Sequence, residues 1–572
     1  MSQVKGIPYG ISDFNRIRNG NFYFVDKTMY LPLIEKMPSY LFLIRPRRFG
    51  KSVFLSMMRT YYDILRQDDF DAYFGDLWIG THPTGERNKY QVLYFDFSKA
   101  GCSMPGADLM TSFNDYCSLI INQFAHVYAA FYDADFKETV KNIESAKSKL
   151  AYIEIKAKEK GYPDEYDNFT NVILSEHGQQ MFHDLTHASG FYREYFKQFK
   201  GMFDRIFMMG VSPVTLDDLS SGYNIDWNIS VDPRFNAMMG FDETEVREMF
   251  HYYQQNDMLN GDVEAMIAEM KPWYDNYCFA RKSLDDDRVF NCDMTLYYLR
   301  WQVDFHRAPE EMVDKNIRTD YSKLKMLARI DRDSVQEGDR MSTIEKIAAE
   351  GDIFVDLHTS FPAERITDID NFRSLLYYYG LLTMCGTRGD LIKMSIPNNC
   401  VREQYFGFLR DYYQKYSSID LHYLNVMLTD MAYDGRWKPF FESVAQAYRE
   451  NSAVRDAMEG ERNLQGFLKA YLALASYYLV EPELEMNYGY CGFFLLPDKK
   501  RYPDVKHSYI LELKYATRTA TDAELEVQAL EGRNQLLQYS EDKIVRCLSE
   551  GTTLHRLLLQ FRGWDLVRCE EV

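Results

Sequence analysis

The sequence lacks the features that mark several protein classes. No C-x-x-C pair occurs among its nine cysteines (102, 117, 278, 292, 385, 400, 491, 547 and 569), and no histidine cluster stands beside them. That spacing excludes a disulfide framework and a cysteine zinc site, and it fits reduced thiols in the cytoplasm. Long apolar runs are missing too. The best candidate, Ala470 to Val480, spans 11 residues between Lys469 and Glu481, well short of the roughly 20 needed to cross a bilayer. No apolar signal core follows the first residues, so neither secretion nor membrane insertion is expected. There is no internal repeat and no low-complexity tract.

Positive charge is also in deficit. Lys and Arg total 66 against 85 Asp and Glu, a net charge of −19, which argues against sequence-blind binding of nucleic acid over the whole surface. The deficit is uneven: residues 1 to 60 carry ten basic and three acidic side chains, +7, leaving −26 for the remainder. A polyanion site therefore belongs near the N-terminal end or in a local pocket. Hydrophobic residues at 46% and charged residues at 26% describe a folded chain. At roughly 150 residues per domain, 572 residues correspond to three or four domains.

The first informative stretch is SYLFLIRPRRFGKSVFLSMMRTYYDIL. Leu41 to Ile44 has the length and character of a buried strand, and Val53, Phe54, Met57, Met58 and Tyr61 fall at helical spacing. Between them, a basic turn ends in Gly50-Lys51-Ser52. Further strands are predicted at Val92 to Phe97 and Arg205 to Val211, separated by long segments that include an amphipathic helical stretch at 131 to 160. The order predicts an α/β fold, with a mostly parallel sheet and helices on both faces. From about 271 to 450 the pattern is mainly helical. Within it, Leu375 to Leu382 leads into a short hairpin around Arg388-Gly389-Asp390, which suits a winged-helix-like unit. From Asn463 the expectation is a helix to about Leu479, then a hairpin of Tyr490 to Leu496 with Ser508 to Lys514. A helix from Asp522 to Tyr539 and two final strands follow.

A strand–turn–helix ending in G-K-S is the context of a phosphate cradle. Backbone N–H groups wrap phosphate oxygens at a helix N-terminus, Lys reaches the outer phosphates and Ser holds Mg²⁺. The general pattern places its first Gly at position 45, where this chain has Arg45. Arg45, Arg47, Arg48, Gly50, Lys51 and Ser52 are the candidate nucleotide ligands. The bland alternative is a turn that merely opens a helix.

RPRRFGKS, with YFVDKT before it (Tyr23 to Thr28) and GVSPVTLDDLSSGYN (Gly210 to Asn224) and DPRFN (Asp232 to Asn236) after it, resembles the AAA-ATPase-like family of bacterial proteins. That family typically carries a C-terminal nuclease-like domain of the PD-(D/E)XK type and tolerates Arg at the position of Arg45. The resemblance implies an AAA-ATPase-like P-loop domain over 1–270, a mainly helical middle domain over 271–450 and an α/β nuclease-like domain over 451–572. It implies ATP and Mg²⁺ as ligands, Asp164 as a metal ligand, Glu165 to orient the attacking water, and Ser212 as a sensor near the γ-phosphate. Read from the residues alone, DEYD is equally a solvated acidic turn and Ser212 a helix cap before Pro213. Lys156 to Gly161 is too polar for a buried strand and Pro163 interrupts a ladder. The strand before Asp164 is thus missing, shortened or supplied by Leu150 to Ile155.

In the second half, Glu512-Leu513-Lys514 matches the E-x-K of the nuclease family. With period two, Glu512 and Lys514 project from one strand face, as a metal-activated water requires. Glu512 is the candidate metal ligand, and Gln535 and Tyr539 in QLLQY resemble the assisting helix motif. The second carboxylate is the difficulty. A regular hairpin places residue 492 opposite 512 or 513, and the family's G-x-x-D falls on Gly489 to Gly492, where this chain ends in glycine. Asp498 lies about five residues along the hairpin, roughly 17 Å away, and Asp504 lies in the turn. Glu483 and Glu485 are the nearby acids left to supply one ligand. The expectation is an ATP-binding protein, and a possible ATPase, coupled to a degenerate nuclease-like domain that acts on or binds DNA or RNA. The alternative is a nucleotide-sensing scaffold without hydrolysis or cleavage that binds a protein partner. Nothing in the sequence indicates an oligomer.

Overall fold

In the computed structural model, the described residues are 3–96, 109–160, 164–165, 203, 205–213, 227–286, 288–314, 324, 327, 336–361, 365, 368–414, 419–450, 461–475, 477–482, 485–486, 489–490, 493–499 and 501–572. They form two compact units, residues 1–315 with 354–398, and residues 316–353 with 399–572.

In the first unit, strand β1 (Tyr40–Ile44) is YLFLI, fully apolar after its first residue, and four of its five side chains are buried. A run apolar on both faces suits a central parallel strand. Helix α1 (Lys51–Tyr62) follows one turn later and buries Phe54, Leu55, Met57, Met58 and Tyr61. Two short strands, β2 (Gln91–Val92) and β3 (Asp164–Glu165), pair in parallel. Before β3, helix α2 (Ala146–Lys160) takes in Leu150 to Ile155, so that segment is not the missing strand. Among the described residues, the strand lies at Asp164 and Glu165 themselves.

Strand β4 (Ile206–Gly210) pairs with β1 in parallel from Tyr40–Ile206 to Ile44–Gly210. Strand β5 (Trp227–Asn228) pairs with the other edge of β1. The order β4-β1-β5 makes β1 central, so the turn that follows it opens at the carboxyl ends of parallel strands, where open α/β sheets place their ligands. The predicted strand at Val92 to Phe97 is regular only at Gln91–Val92, and 97 lies outside the described residues. The predicted helical stretch 131–160 is interrupted: one helix covers Phe136–Asn142 and α2 begins at Ala146. Helix α3 (Cys292–Phe305) starts under an Asn291 cap. Helix α4 (Ile369–Tyr378) leads into an antiparallel hairpin of β6 (Thr383–Arg388) and β7 (Leu391–Ser395), the expected helix and hairpin.

In the second unit, helix α5 (Glu461–Leu472) precedes a five-stranded sheet. Its strands are β8 (Tyr478–Pro482), β9 (Phe493–Pro497), β10 (His507–Ala516), β11 (Thr553–Arg562) and β12 (Asp565–Glu571), in spatial order β12-β11-β10-β9-β8. Ala470 to Val480 is thus the end of a helix and the start of a strand. β10 and β11 run parallel through ten register pairs and the other neighbours are antiparallel. The parallel pair requires a crossover, which is helix α6 (Asp522–Ser540), opened by a capping box between Thr521 and Glu524. Its buried face meets the sheet in a core of Phe494, Ile510, Leu536, Tyr539 and Leu558. Among the described residues, no helix is long and apolar enough to cross a membrane.

Candidate functional site

The turn between β1 and α1 alternates anchors and ligands. Arg45 is 1% exposed. Its guanidinium donates to the carbonyls of Ile44 (2.8 Å), Ser230 (2.7 Å) and Phe235 (2.8 Å), and it lies 4.3 Å from the centre of the Phe279 ring. Burial lowers its pKa to about 10, still charged at neutral pH. Arg45 therefore braces the loop from inside, and the sequence expectation that placed it among the nucleotide ligands is not met by its orientation. Pro46 packs on Gly380, where a Cβ would come within 2.8 Å of the proline ring. Phe49 is inserted between Tyr277 and Phe279 at ring-centre distances of 4.8 and 5.5 Å.

Arg45 and Pro46 are turned away from a cavity of about 440 Å³, which Phe49 borders together with Arg47, Arg48, Gly50, Lys51 and Ser52. Gly50 has φ +84°, a conformation that glycine adopts without steric cost. Gly50, the residue that caps α1, has no side chain to cap it with, and the start of a helix favours an anion. Lys51 Nζ donates to the carbonyls of Arg45 (3.0 Å) and Pro46 (2.6 Å), and Ser52 is exposed. The inner wall is apolar, with Met57, Met238, Phe241 and Met249. Cys292 lies behind Gly50, its Sγ 3.7 Å from where a Cβ would project, and burial pushes that thiol up to about 12.

The other expected members are placed unequally. Ser212 sits just beyond β4, beside the end of β1, where Arg45 N donates to Gly210 O at 3.1 Å. It is 1% exposed, hydrogen-bonds the Tyr379 phenol and does not line the cavity. For Asp164 and Glu165 the backbone alone is described. It pairs with Gln91 and Val92, in a ladder separate, among the described residues, from that of β1.

In the second unit, Glu512 and Lys514 share a face of β10 as period two requires, and they form an ion pair at 3.0 Å. Glu512 is 7% exposed. Lys514 Nζ also donates to Gln535 Oε1 at 2.7 Å, so the structure brings Glu512, Lys514 and Gln535 together. Gly532 permits this. A Cβ there would lie 2.7 Å from Leu558 Cδ1 and 3.4 Å from Lys514 Cε, so α6 reaches the sheet only with glycine at that point. Tyr539, expected to assist the same site, is 3% exposed and packs its ring among Phe494, Ile510 and Leu558.

The hairpin register runs Phe493–Leu511, Phe494–Ile510, Leu495–Tyr509. Gly492 and Glu483 lie outside the described residues, and for Glu485 the backbone alone is described, paired with Tyr490. Asp498 stands at the far end, its N–H donated to Tyr477 O and its carboxylate accepting from Arg501 N. Glu461, at the start of α5, was missed by sequence reasoning. Burial of its carboxyl raises the pKa and the nearby Lys514 ammonium opposes the shift, which puts a second acid in electrostatic reach of Lys514. An acid in the first turn of a helix reads as an ordinary dipole partner, so spacing gave no signal for it. Among the described residues, no group of three His, Cys, Asp or Glu is placed to hold a metal ion.

Two regions of the chain are similar to known families. Residues 8–220 match the family described as predicted AAA-ATPase, and residues 459–571 match the PD-(D/E)XK nuclease superfamily. A protein of Azotobacter chroococcum mcd 1, described as uncharacterized and in the vnfD 5′ region, is 29% identical over 289 residues. The match covers 48% of this chain and 48% of that relative, so the chain spans about half the length of the curated protein it resembles. The AAA-ATPase-like match contains Gly50, Lys51 and Ser52, and the nuclease-superfamily match contains Glu512, Lys514 and Gln535.

Proposed function

We propose that the AAA-ATPase-like domain binds ATP with Mg²⁺ at the Gly50–Ser52 turn, and that the nuclease-superfamily domain engages DNA or RNA without cutting it efficiently. The observation that carries the first part is the start of α1 behind a positive-φ Gly50, opening into a 440 Å³ cavity lined by Lys51, Arg47 and Arg48. These residues fit a triphosphate. Amides and cations converge, and the amine of Lys51 rests on carbonyls that a phosphate oxygen outcompetes. Ser52 and Asp164 would hold the metal ion, whose contribution is to neutralise charge on the outer phosphates. Glu165 would orient water if the nucleotide is turned over.

The nuclease half does not fit a catalytic metal equally well. One carboxylate, Glu512, pairs with Lys514 on β10, the sequence has glycine at 492 where the family pattern has an acid, and an ion held by one buried carboxylate beside an ammonium is weakly bound. We derive no cleavage step through that site. The same observation favours the second reading, a nucleotide-sensing scaffold whose C-terminal domain binds a partner. Assaying the chain and Gly492→Asp for Mg²⁺- or Mn²⁺-dependent cleavage of DNA and RNA separates the two. Cutting by the variant but not the parent identifies an inherited, inactivated nuclease site. No cutting by either removes the nuclease inheritance from the functional account.

A further inference from the structure

The cradle has a carboxylate in its wall. Asp293 is the one acid among the described residues lining the 440 Å³ cavity. It sits in the first turn of α3, and its Oδ2 accepts from Arg48 NH1 at 2.6 Å. Its backbone N–H donates to Arg48 O at 3.4 Å, so helix α3 holds Arg48 by both side chain and main chain. Arg48 has φ +68°, a conformation that costs a non-glycine residue about 1 kcal/mol or more and persists where neighbours impose it. The neighbours here are tied to one another by backbone hydrogen bonds. Gly240, at φ +92°, brings its N–H to Phe49 O at 3.2 Å, and Phe241 bridges to Phe290 just before α3.

Two other cations of the cavity are similarly engaged from within the chain. Lys51 rests on two loop carbonyls, and Lys27 pairs with Glu245 at 2.6 Å. A polyphosphate entering the cavity meets an arginine already neutralised and a carboxylate of its own sign. A residue whose purpose was to aim Arg48 at phosphate would be expected outside the ligand's path, but Asp293 lines the same cavity as Arg48 and Lys51.

We propose that Asp293 is a built-in competitor for phosphate at Arg48, so that nucleotide binding exchanges the Arg48–Asp293 ion pair for an arginine–phosphate contact. This rests on the nucleotide reading above and adds its regulation: the affinity of the cradle is set by how firmly α3 presents Asp293. Whatever pulls the start of α3 away from the loop raises affinity, and whatever presses it in lowers affinity.

The test is calorimetric titration of the full chain with Mg²⁺-ATP and, separately, inorganic pyrophosphate, in the parent, Asp293→Asn, Asp293→Ser, Arg48→Ala and the double variant Arg48→Ala/Asp293→Asn. The expected result is binding roughly tenfold tighter in either Asp293 variant for both probes, about the size of one charge-assisted contact. That gain should shrink to twofold or less when Arg48 is absent. Asp293→Ser carries the expectation if Asn impairs folding, which thermal melts report. Equal or weaker binding in folded Asp293 variants, with the parent binding normally, overturns the competitor role alone. No binding of either probe by parent or variants overturns the nucleotide reading and this inference together.

Discussion

Gly50 and Arg45 bracket the phosphate turn and contribute in opposite ways. Gly50 supplies a backbone angle and no side chain, whereas Arg45 supplies three hydrogen bonds from a side chain 1% exposed. Replacing Arg45 by the glycine of the general phosphate-loop pattern should not improve nucleotide binding. It strands the carbonyls of Ile44, Ser230 and Phe235, and equilibrium denaturation of Arg45→Gly should show a loss of about 3 kcal/mol. A variant as stable as the parent would mean that Arg45 is not a structural brace. Glu345 makes a second residue-level test. It is 4% exposed, burial raises its carboxyl to about 7, and the Tyr413 hydroxyl donates to it at 3.0 Å. Because the folded pKa lies above the unfolded value, the native state holds the extra proton between roughly pH 4.5 and 7, and stability falls as pH rises through that window. Glu345→Gln keeps the acceptor for Tyr413, so thermal melts from pH 5 to 8 should flatten and the variant should be the more stable at pH 8. An unchanged pH profile would contradict the assignment.

At the scale of elements, α6 is positioned by an absence. Gly to Ala inside a helix usually stabilises by about 1 kcal/mol, but at Gly532 the added methyl meets the buried Leu558 at 2.7 Å. Overpacking of this kind costs about 1–3 kcal/mol, so Gly532→Ala should be net destabilising and should separate Lys514 from Gln535. Increased stability in urea would show that α6 has slack against the sheet. Much of this layer was legible beforehand: β1, the start of α1, the helix and hairpin at 369–395, and the hairpin that leads to Glu512 all follow from apolar runs bounded by turn residues. The misplaced pieces share a cause. Leu150 to Ile155 is an apolar run inside a helix, which periodicity cannot separate from a strand over six residues. The inward turn of Arg45 depends on carbonyls of residues 230 and 235, far along the chain, and the proximity of Glu461 to Lys514 is likewise tertiary. Spacing along a sequence carries no record of such contacts.

For the molecule as a whole, regions similar to two families lie in one chain, and their candidate sites differ in completeness. The turn before α1 has Gly50, Lys51 and Ser52 at the start of a helix, while β10 and α6 bring Glu512, Lys514 and Gln535 together and the sequence has glycine at 492. Net charge of −19 confines any nucleic-acid contact to a local surface, so binding by the intact chain should weaken with added salt less steeply than for a protein built around many phosphate contacts. A salt slope corresponding to six or more released counterions would contradict that. The central claim is the cradle, and calorimetry of the full chain with Mg²⁺-ATP beside Lys51→Ala tests it most directly. The account predicts saturable binding by the parent and at least a tenfold loss in the variant, about 1.4 kcal/mol or more. Absence of binding by the folded parent, or equal binding by Lys51→Ala, would contradict it.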